Sequence, residues 1–156
     1  MPKPDTQPAR SIDINYQTLN RFVGYHMKRA FNVVQADLTQ TLKPFDLRML
    51  TYTALVLIVD NPGLSQSQLA AAMDIERPNL VVIVDELERR DLIVRNRVPT
   101  DRRAYALKAT LAGRRLYEKA VAADVAHEAR LFANLDTDTR DALIKALSTV
   151  RRNQNT

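Results

Sequence analysis

Between Leu64 and Leu107 the chain alternates short apolar stretches with turn and charged residues, in the run LSQSQLAAAMDIERPNLVVIVDELERRDLIVRNRVPTDRRAYAL. The spacing predicts two short helices joined by a tight turn, then a strand, a basic loop and a second strand. Ser65 and Gln68 form a Ser-x-x-Gln capping box just ahead of Leu69-Ala70-Ala71-Ala72-Met73, which places the start of the first helix. Asp74-Ile75-Glu76 supplies the turn. Arg77-Pro78 opens the second helix, with proline where its missing amide would be unbonded anyway. Along that helix Leu80, Ile83, Val84 and Leu87 share a face suited to a core, and Arg77, Pro78, Val81 and Val82 point elsewhere. Asp85 with Arg89, and Glu86 with Arg90, stand at the favourable four-residue spacing. Leu92-Ile93-Val94 and Ala104-Tyr105-Ala106-Leu107 read as strands, and Arg95 to Arg103 as the loop between them, turning at Pro99-Thr100-Asp101.

The flanks are helical. Residues 1–11 carry three prolines and few apolar residues, and are read as a mobile arm. From Ile12 to about Leu42 the positions Ile12, Tyr16, Leu19, Val23, Met27, Phe31, Val34 and Leu38 keep helical spacing, in one long helix or two pieces bent near Gly24. Pro44 ends it. Asp46 is positioned to cap a nearly all-apolar helix from Arg48 to Ile58, which Asn61-Pro62-Gly63 stops. Beyond the second strand, Thr110 caps a helix from Leu111 to about Asn134. A last amphipathic helix, capped near Asp136 or Thr137, carries Leu143, Ile144, Leu147 and Val150. No internal repeat or linker divides the chain, so 12–153 is read as one domain.

In this order the elements outline a winged helix-turn-helix, mainly α with a small β-wing, the module that sets one helix in a DNA major groove. Residues 46–109 make that module. Residues 12–42 and 111–153 are read as N- and C-terminal dimerisation helices, because their apolar faces exceed what a small wing module needs.

Composition narrows the function. The 156 residues are 46% hydrophobic and 26% charged, enough for a core without staples. The absence of cysteine excludes disulfides, thiolate metal sites and thiol redox sensing. No apolar run reaches about 18 residues and no secretory signal opens the chain, so the expected location is a prokaryotic cytoplasm with no membrane partner. The net charge of +5 suits a polyanion. Arg89, Arg90, Arg95, Arg97, Arg102, Arg103, Lys108, Arg114 and Arg115 crowd one stretch. Glycine-rich phosphate loops, nucleophile elbows and metal clusters are missing from the motif inventory, which argues against an enzyme and for no cofactor. His26 and His127 read as ordinary buried or surface histidines, and His127-Glu128 lacks the second histidine of the zinc-protease motif.

The chain resembles the MarR family over nearly its whole length after residue 12. The resemblance is carried by Pro62-Gly63-Leu64-Ser65-Gln66 with Leu69-Ala70, and by Val84-Asp85-Glu86-Leu87-Glu88-Arg89-Arg90-Asp91-Leu92-Ile93. Asp101-Arg102-Arg103 followed by Leu107, Thr110 and Gly113 adds its most specific part. It implies a homodimer that binds double-stranded DNA at a pseudo-palindromic operator, most often as a repressor released by a small-molecule effector. Ser65, Gln66 and Ser67 are expected on phosphates, and Arg77, Pro78, Asn79 and Val81 in the major groove. Arg97, Asp101, Arg102 and Arg103 are expected at the wing, with Asp101 orienting an arginine. Two departures stand out. Val81 and Val82 occupy the middle of the reading helix, where they offer a base edge only apolar contact, so reading falls to Arg77 and Asn79. Arg48 replaces the usual capping threonine and brings a cation near the family's effector cavity. Tyr25, His26, Arg48 and Tyr52 are the expected effector contacts, and Glu76-Arg77-Pro78-Asn79-Leu80-Val81 resembles members that respond to aromatic acids or aromatic acyl-CoA thioesters. The alternatives are a helical dimer that ignores DNA and a basic protein that binds it without specificity or effector.

Overall fold

The computed structural model describes residues 13–152, apart from the side chains of Arg102 and Arg103. The expected arm at 1–11, and Ile12 with it, lie outside the described residues. Internal packing divides the chain between Val33 and Val34, and the two units are taken separately.

In the first unit, a single-turn 3-10 segment at Leu19–Arg21 precedes helix α1 (Val23–Leu42), whose second half belongs to the other unit. The helix expected from Ile12 therefore starts only at Val23. Gln17 N donates to the Asn15 side chain at 2.8 Å, and this local bond competes with helical ones. Phe22 is extended at φ −105°, so the break falls two residues before Gly24. Phe22, Val23, Phe31 and Val33 are exposed.

The second unit is built on helix α2 (Met49–Asp60). It buries Thr51, Tyr52, Ala54, Leu55 and Ile58, as its unbroken apolar run predicts. Asp46 does not cap it. Asp46 sits in the left-handed region at φ 51° and ends the short turn Lys43–Phe45, and Arg48 holds the capping position. The Thr51 hydroxyl accepts from Arg48 N at 3.1 Å. Strand β1 (Leu64–Ser65) leads into α3 (Gln66–Met73), and Asp74 at φ 52° closes α3. The capping box is present: Ser65 Oγ accepts from Gln68 N at 3.1 Å, and Ser65 N donates to Gln68 Oε1 at 2.9 Å.

Helix α4 (Arg77–Arg89) buries the predicted face, Leu80, Ile83, Val84 and Leu87. These four join Ala54, Leu55, Ile58, Leu69, Ile93 and Leu107 in the main core. A fully buried leucine of this kind contributes about 1.5–3 kcal/mol.

The wing strands are longer than the spacing predicts. They span β2 (Ile93–Val98) and β3 (Asp101–Ala109), so the connecting turn is two residues, Pro99 and Thr100, rather than the whole of 95–103. Its arginines hid the strands, although an antiparallel ribbon with a solvated face accommodates them. Sheet order is β1-β3-β2, with Leu64 opposite Leu107, Arg95 also opposite Leu107, and Arg97 opposite Tyr105. The register jumps between Arg97 and Val98, which pairs with Asp101, so β3 bulges at the wing tip. The strand β1 was not foreseen.

Helix α5 (Leu111–Leu131) starts where predicted. Thr110 Oγ1 accepts from Gly113 N at 3.0 Å and donates to Asp91 O at 2.6 Å. Its end comes three residues before Asn134. Helix α6 (Thr137–Arg152) is capped by Asp136, whose Oδ1 accepts from Thr139 N at 2.8 Å. Its apolar stripe, Leu143, Ile144, Leu147 and Val150, is exposed in the single chain. No described helix is long and apolar enough to cross a membrane.

Candidate nucleic-acid interface

The expected DNA-facing residues lie on β1, α3, α4, β2 and β3. Ser65 ends β1 as the cap of α3, and Gln66 and Ser67 form the first turn, so that turn's backbone amides lack partners within the helix. Arg77, Pro78 and Asn79 are exposed in the first turn of α4, where the helix presents its positive end. Val82 is 63% exposed, while Val81 is only half exposed and turns into a groove, contrary to the expectation that both face outward alike.

That groove, about 450 Å³, is lined by Gln66, Val81, Asp85, Glu88, Arg95 and Tyr105. Arg95 is its centre. The guanidinium bonds Glu88 Oε2 at 2.6 Å and also pairs with Asp85. With its oxygen turned toward Arg95, the Gln66 amide accepts from Nε at 3.2 Å and Nη2 at 3.3 Å. Asp85 thus pairs across to the wing rather than along its helix to Arg89. Glu86 does stand 3.9 Å from Arg90, as the spacing predicted, but it also pairs with Arg48. Arg90 in turn donates to the carbonyls of Asp46 at 2.6 Å and Phe45 at 3.1 Å. Arg95 and Tyr105 were not picked out by the sequence. The signal available was Arg95 standing just past the predicted strand Leu92-Ile93-Val94, two residues from Ile93 and so on its face once the strand continues.

Arg97 is exposed near the end of β2, and Asp101 is exposed at the start of β3. The backbones of Arg102 and Arg103 belong to β3, and their side chains lie outside the described residues.

The expected effector residues fall on both units. In the first, Tyr25 and His26 meet edge to face at 5.6 Å, Arg29 donates to Tyr25 Oη at 3.2 Å, and His26 Nε2 lies 2.9 Å from Asn20 O. In the second, Arg48 is exposed and paired with Glu86. Tyr52 is buried against Leu42, Leu47 and Ala120, and its hydroxyl donates to Asp124 Oδ2 at 2.8 Å. Burial first, and the Asp124 carboxylate second, push the phenol above its ordinary value, so it stays a donor.

The profile of the MarR family matches residues 45–104. A Thauera aromatica protein described as a transcriptional regulatory protein for the hcr operon is 32% identical over 149 residues, 94% of this chain and 90% of its own. The transcriptional repressor CouR, solved on a 23-mer DNA duplex, is similar with a TM-score of 0.85 and 36% identity, over 89% of this chain and 99% of its own. CouR from Rhodococcus jostii RHA1, bound to p-coumaroyl-CoA, gives 0.79 and 32%, over 86% and 94%.

Proposed function

The chain belongs to the MarR family of transcriptional regulators, and from that premise we propose a homodimeric repressor that an aromatic acyl-CoA thioester releases from a pseudo-palindromic operator. One observation carries the reading. The same kind of repressor, more than 30% identical over most of both chains, has been solved on DNA and on p-coumaroyl-CoA. The exposed first turn of α4 and the basic wing support the DNA half of it.

In this reading α4 enters the major groove by its N-terminus. Arg77 addresses guanine and Asn79 adenine, each good pair being worth about 1–3 kcal/mol of discrimination. Pro78, Val81 and Val82 offer only apolar contact, as to a thymine methyl. Ser65, Gln66 and Ser67 hold phosphates through hydroxyls and amides, which fix register without reading sequence. Arg97, Arg102 and Arg103 follow the backbone or the minor groove, with Asp101 orienting one of them. Two copies must present their α4 helices about 34–36 Å apart, one turn of DNA.

The effector works only through unequal affinity for the DNA-fitting and non-fitting shapes, on the order of 5.5 kcal/mol for a full switch. Tyr25, His26, Arg48 and Tyr52 are proposed as contacts one by one. Tyr52 would have to exchange its bond to Asp124.

The test is fluorescence anisotropy with the promoter DNA beside this gene, over a salt series, against scrambled duplex. Specific binding that weakens with salt and drops in Arg103→Ala is the expected result. Release by p-coumaroyl-CoA and not by free p-coumarate is expected in the same assay. Equal binding to scrambled DNA would remove the operator claim. A complex that the thioester leaves intact would remove the effector claim alone.

A further inference from the structure

Helix α5 carries a second polar centre, away from the DNA-facing groove and wholly within the unit that begins at Val34. Asp124, His127 and Glu128 stand at the i, i+3 and i+4 positions that bring side chains onto one helix face. One donor atom of each, a ring nitrogen in the case of His127, lies within 4.8 Å of the others.

The histidine is the telling member. Its side chain is 1% exposed, and Nδ1 lies 2.6 Å from Asp37 Oδ2. Arg130 donates to that same oxygen at 2.6 Å, so Asp37 is held as an acceptor and the His127 proton sits on Nδ1. In the neutral ring, Nε2 is then the nitrogen that carries the free lone pair. It is buried and, among the described residues, has no hydrogen-bond partner, a situation burial ordinarily penalises. Asp124 receives the Tyr52 hydroxyl on Oδ2 at 2.8 Å, and that bond fixes the carboxylate with Oδ1 left to offer.

We propose that Asp124, His127 and Glu128 form a divalent-cation site, with Zn²⁺ the ion that suits it. The donor set is one imidazole nitrogen and two carboxylate oxygens, a combination zinc accepts, with water completing the shell. The two carboxylates match the cation's charge. A ligating histidine whose other nitrogen donates to a carboxylate is the arrangement that fixes the ring and strengthens the nitrogen as a ligand, and Asp37 plays that part here. The chain has no cysteine to compete for the ion. Because Asp37 lies on α1 and the Tyr52 partner of Asp124 on α2, an ion on α5 would tie three helices together at one point.

The experiment needs neither DNA nor thioester, so its outcome is independent of the repressor reading. The full chain, freed of metal with a chelator, is titrated with ZnCl₂ in a calorimeter and its thermal unfolding followed in parallel. One Zn²⁺ per chain is expected, with a rise in Tm. Glu128→Gln and Asp124→Asn should weaken binding at least tenfold, and Asp37→Asn by roughly 10–100-fold through the histidine it orients. Glu128 is exposed, so its variant keeps the fold even if a change at His127 does not. His26→Gln should leave binding unchanged. No binding up to about 1 mM Zn²⁺, or equal affinity in parent, Glu128→Gln and Asp124→Asn, would overturn the site.

Discussion

Replacing Gly113 by alanine should lower stability, although alanine is the better helix former. An ideal Cβ at this position falls 2.0 Å from the Leu92 carbonyl oxygen and 2.9 Å from its carbon. Ordinary contacts lie near 3.5 Å, so α5 and the start of the wing must separate by more than 1 Å. Neither side yields easily. Leu92 is buried, and its carbonyl already accepts from Thr110 N at 3.0 Å. Overpacking costs about 1–3 kcal/mol, and loss of the Thr110 bond adds about 1 kcal/mol. Better helix propensity returns about 1 kcal/mol. The net loss is about 1–3 kcal/mol, or a Tm lower by roughly 3–10 °C at this chain length. Circular dichroism on parent and Gly113→Ala checks it, at one chain concentration because the Tm of an associating chain depends on it. Propensity alone would move Tm upward, so an unchanged or higher Tm would refute the steric argument.

Three further outcomes follow from particular contacts. Ser65→Ala removes the α3 cap and should cost about 1 kcal/mol in urea unfolding, with the midpoint lowered and the slope retained. The Thr139 side chain, followed by its backbone amide, holds the Asp136 carboxyl below its ordinary 3.8. Its contribution to stability is present above that value and lost as pH falls through the lower folded value, so Asp136→Ala should lower Tm at neutral pH and converge on the parent in acid. Arg95→Met leaves Asp85 and Glu88 uncompensated in the groove, and DNA affinity should fall about tenfold in anisotropy, with little change in salt slope if Arg95 touches no phosphate.

What the sequence disclosed was governed by range. Caps are legible because partner and donor sit three residues apart, as in Ser65 with Gln68 and Thr110 with Gly113. The buried face of α4 was legible because helical period alone selects Leu80, Ile83, Val84 and Leu87. Charge obscured the wing, since Arg95 and Arg97 look like loop until β3 is there to pair with them. Local bonding hid the start of α1, where Asn15 satisfies a backbone amide by itself. Asp85 had two arginines within reach, and only the folded chain decides for Arg95 over Arg89. At the candidate DNA surface the residue types were readable, but the Gln66–Arg95–Glu88 link between α3, β2 and α4 was not. The His127–Asp37 pair spans 90 residues and had no local trace at all.

Those cross-links bear on how release would work. Arg95 joins the wing to α4 through two carboxylates, and Arg90 joins the end of α4 to the carbonyls of Phe45 and Asp46. Arg48, at the head of α2, closes on Glu86 of α4. Bonds that involve a charged partner run about 1.5–3 kcal/mol when shielded, and less where exposed as at Arg48. Bending the recognition helix against its wing would break several of them together. Displacing residues 45–109 as one body breaks none of these and loads the bonds to α5, among them Tyr52–Asp124. The proposed effector therefore has the lower-energy route in changing the spacing of two intact modules, and its preference of several kcal/mol need not be spent on their internal bonds. If so, Arg48→Ala should shift effector sensitivity while leaving effector-free operator affinity nearly unchanged, because Arg90 still anchors α4. A large loss of effector-free affinity in Arg48→Ala would mean that the module is not rigid and that release proceeds through its deformation.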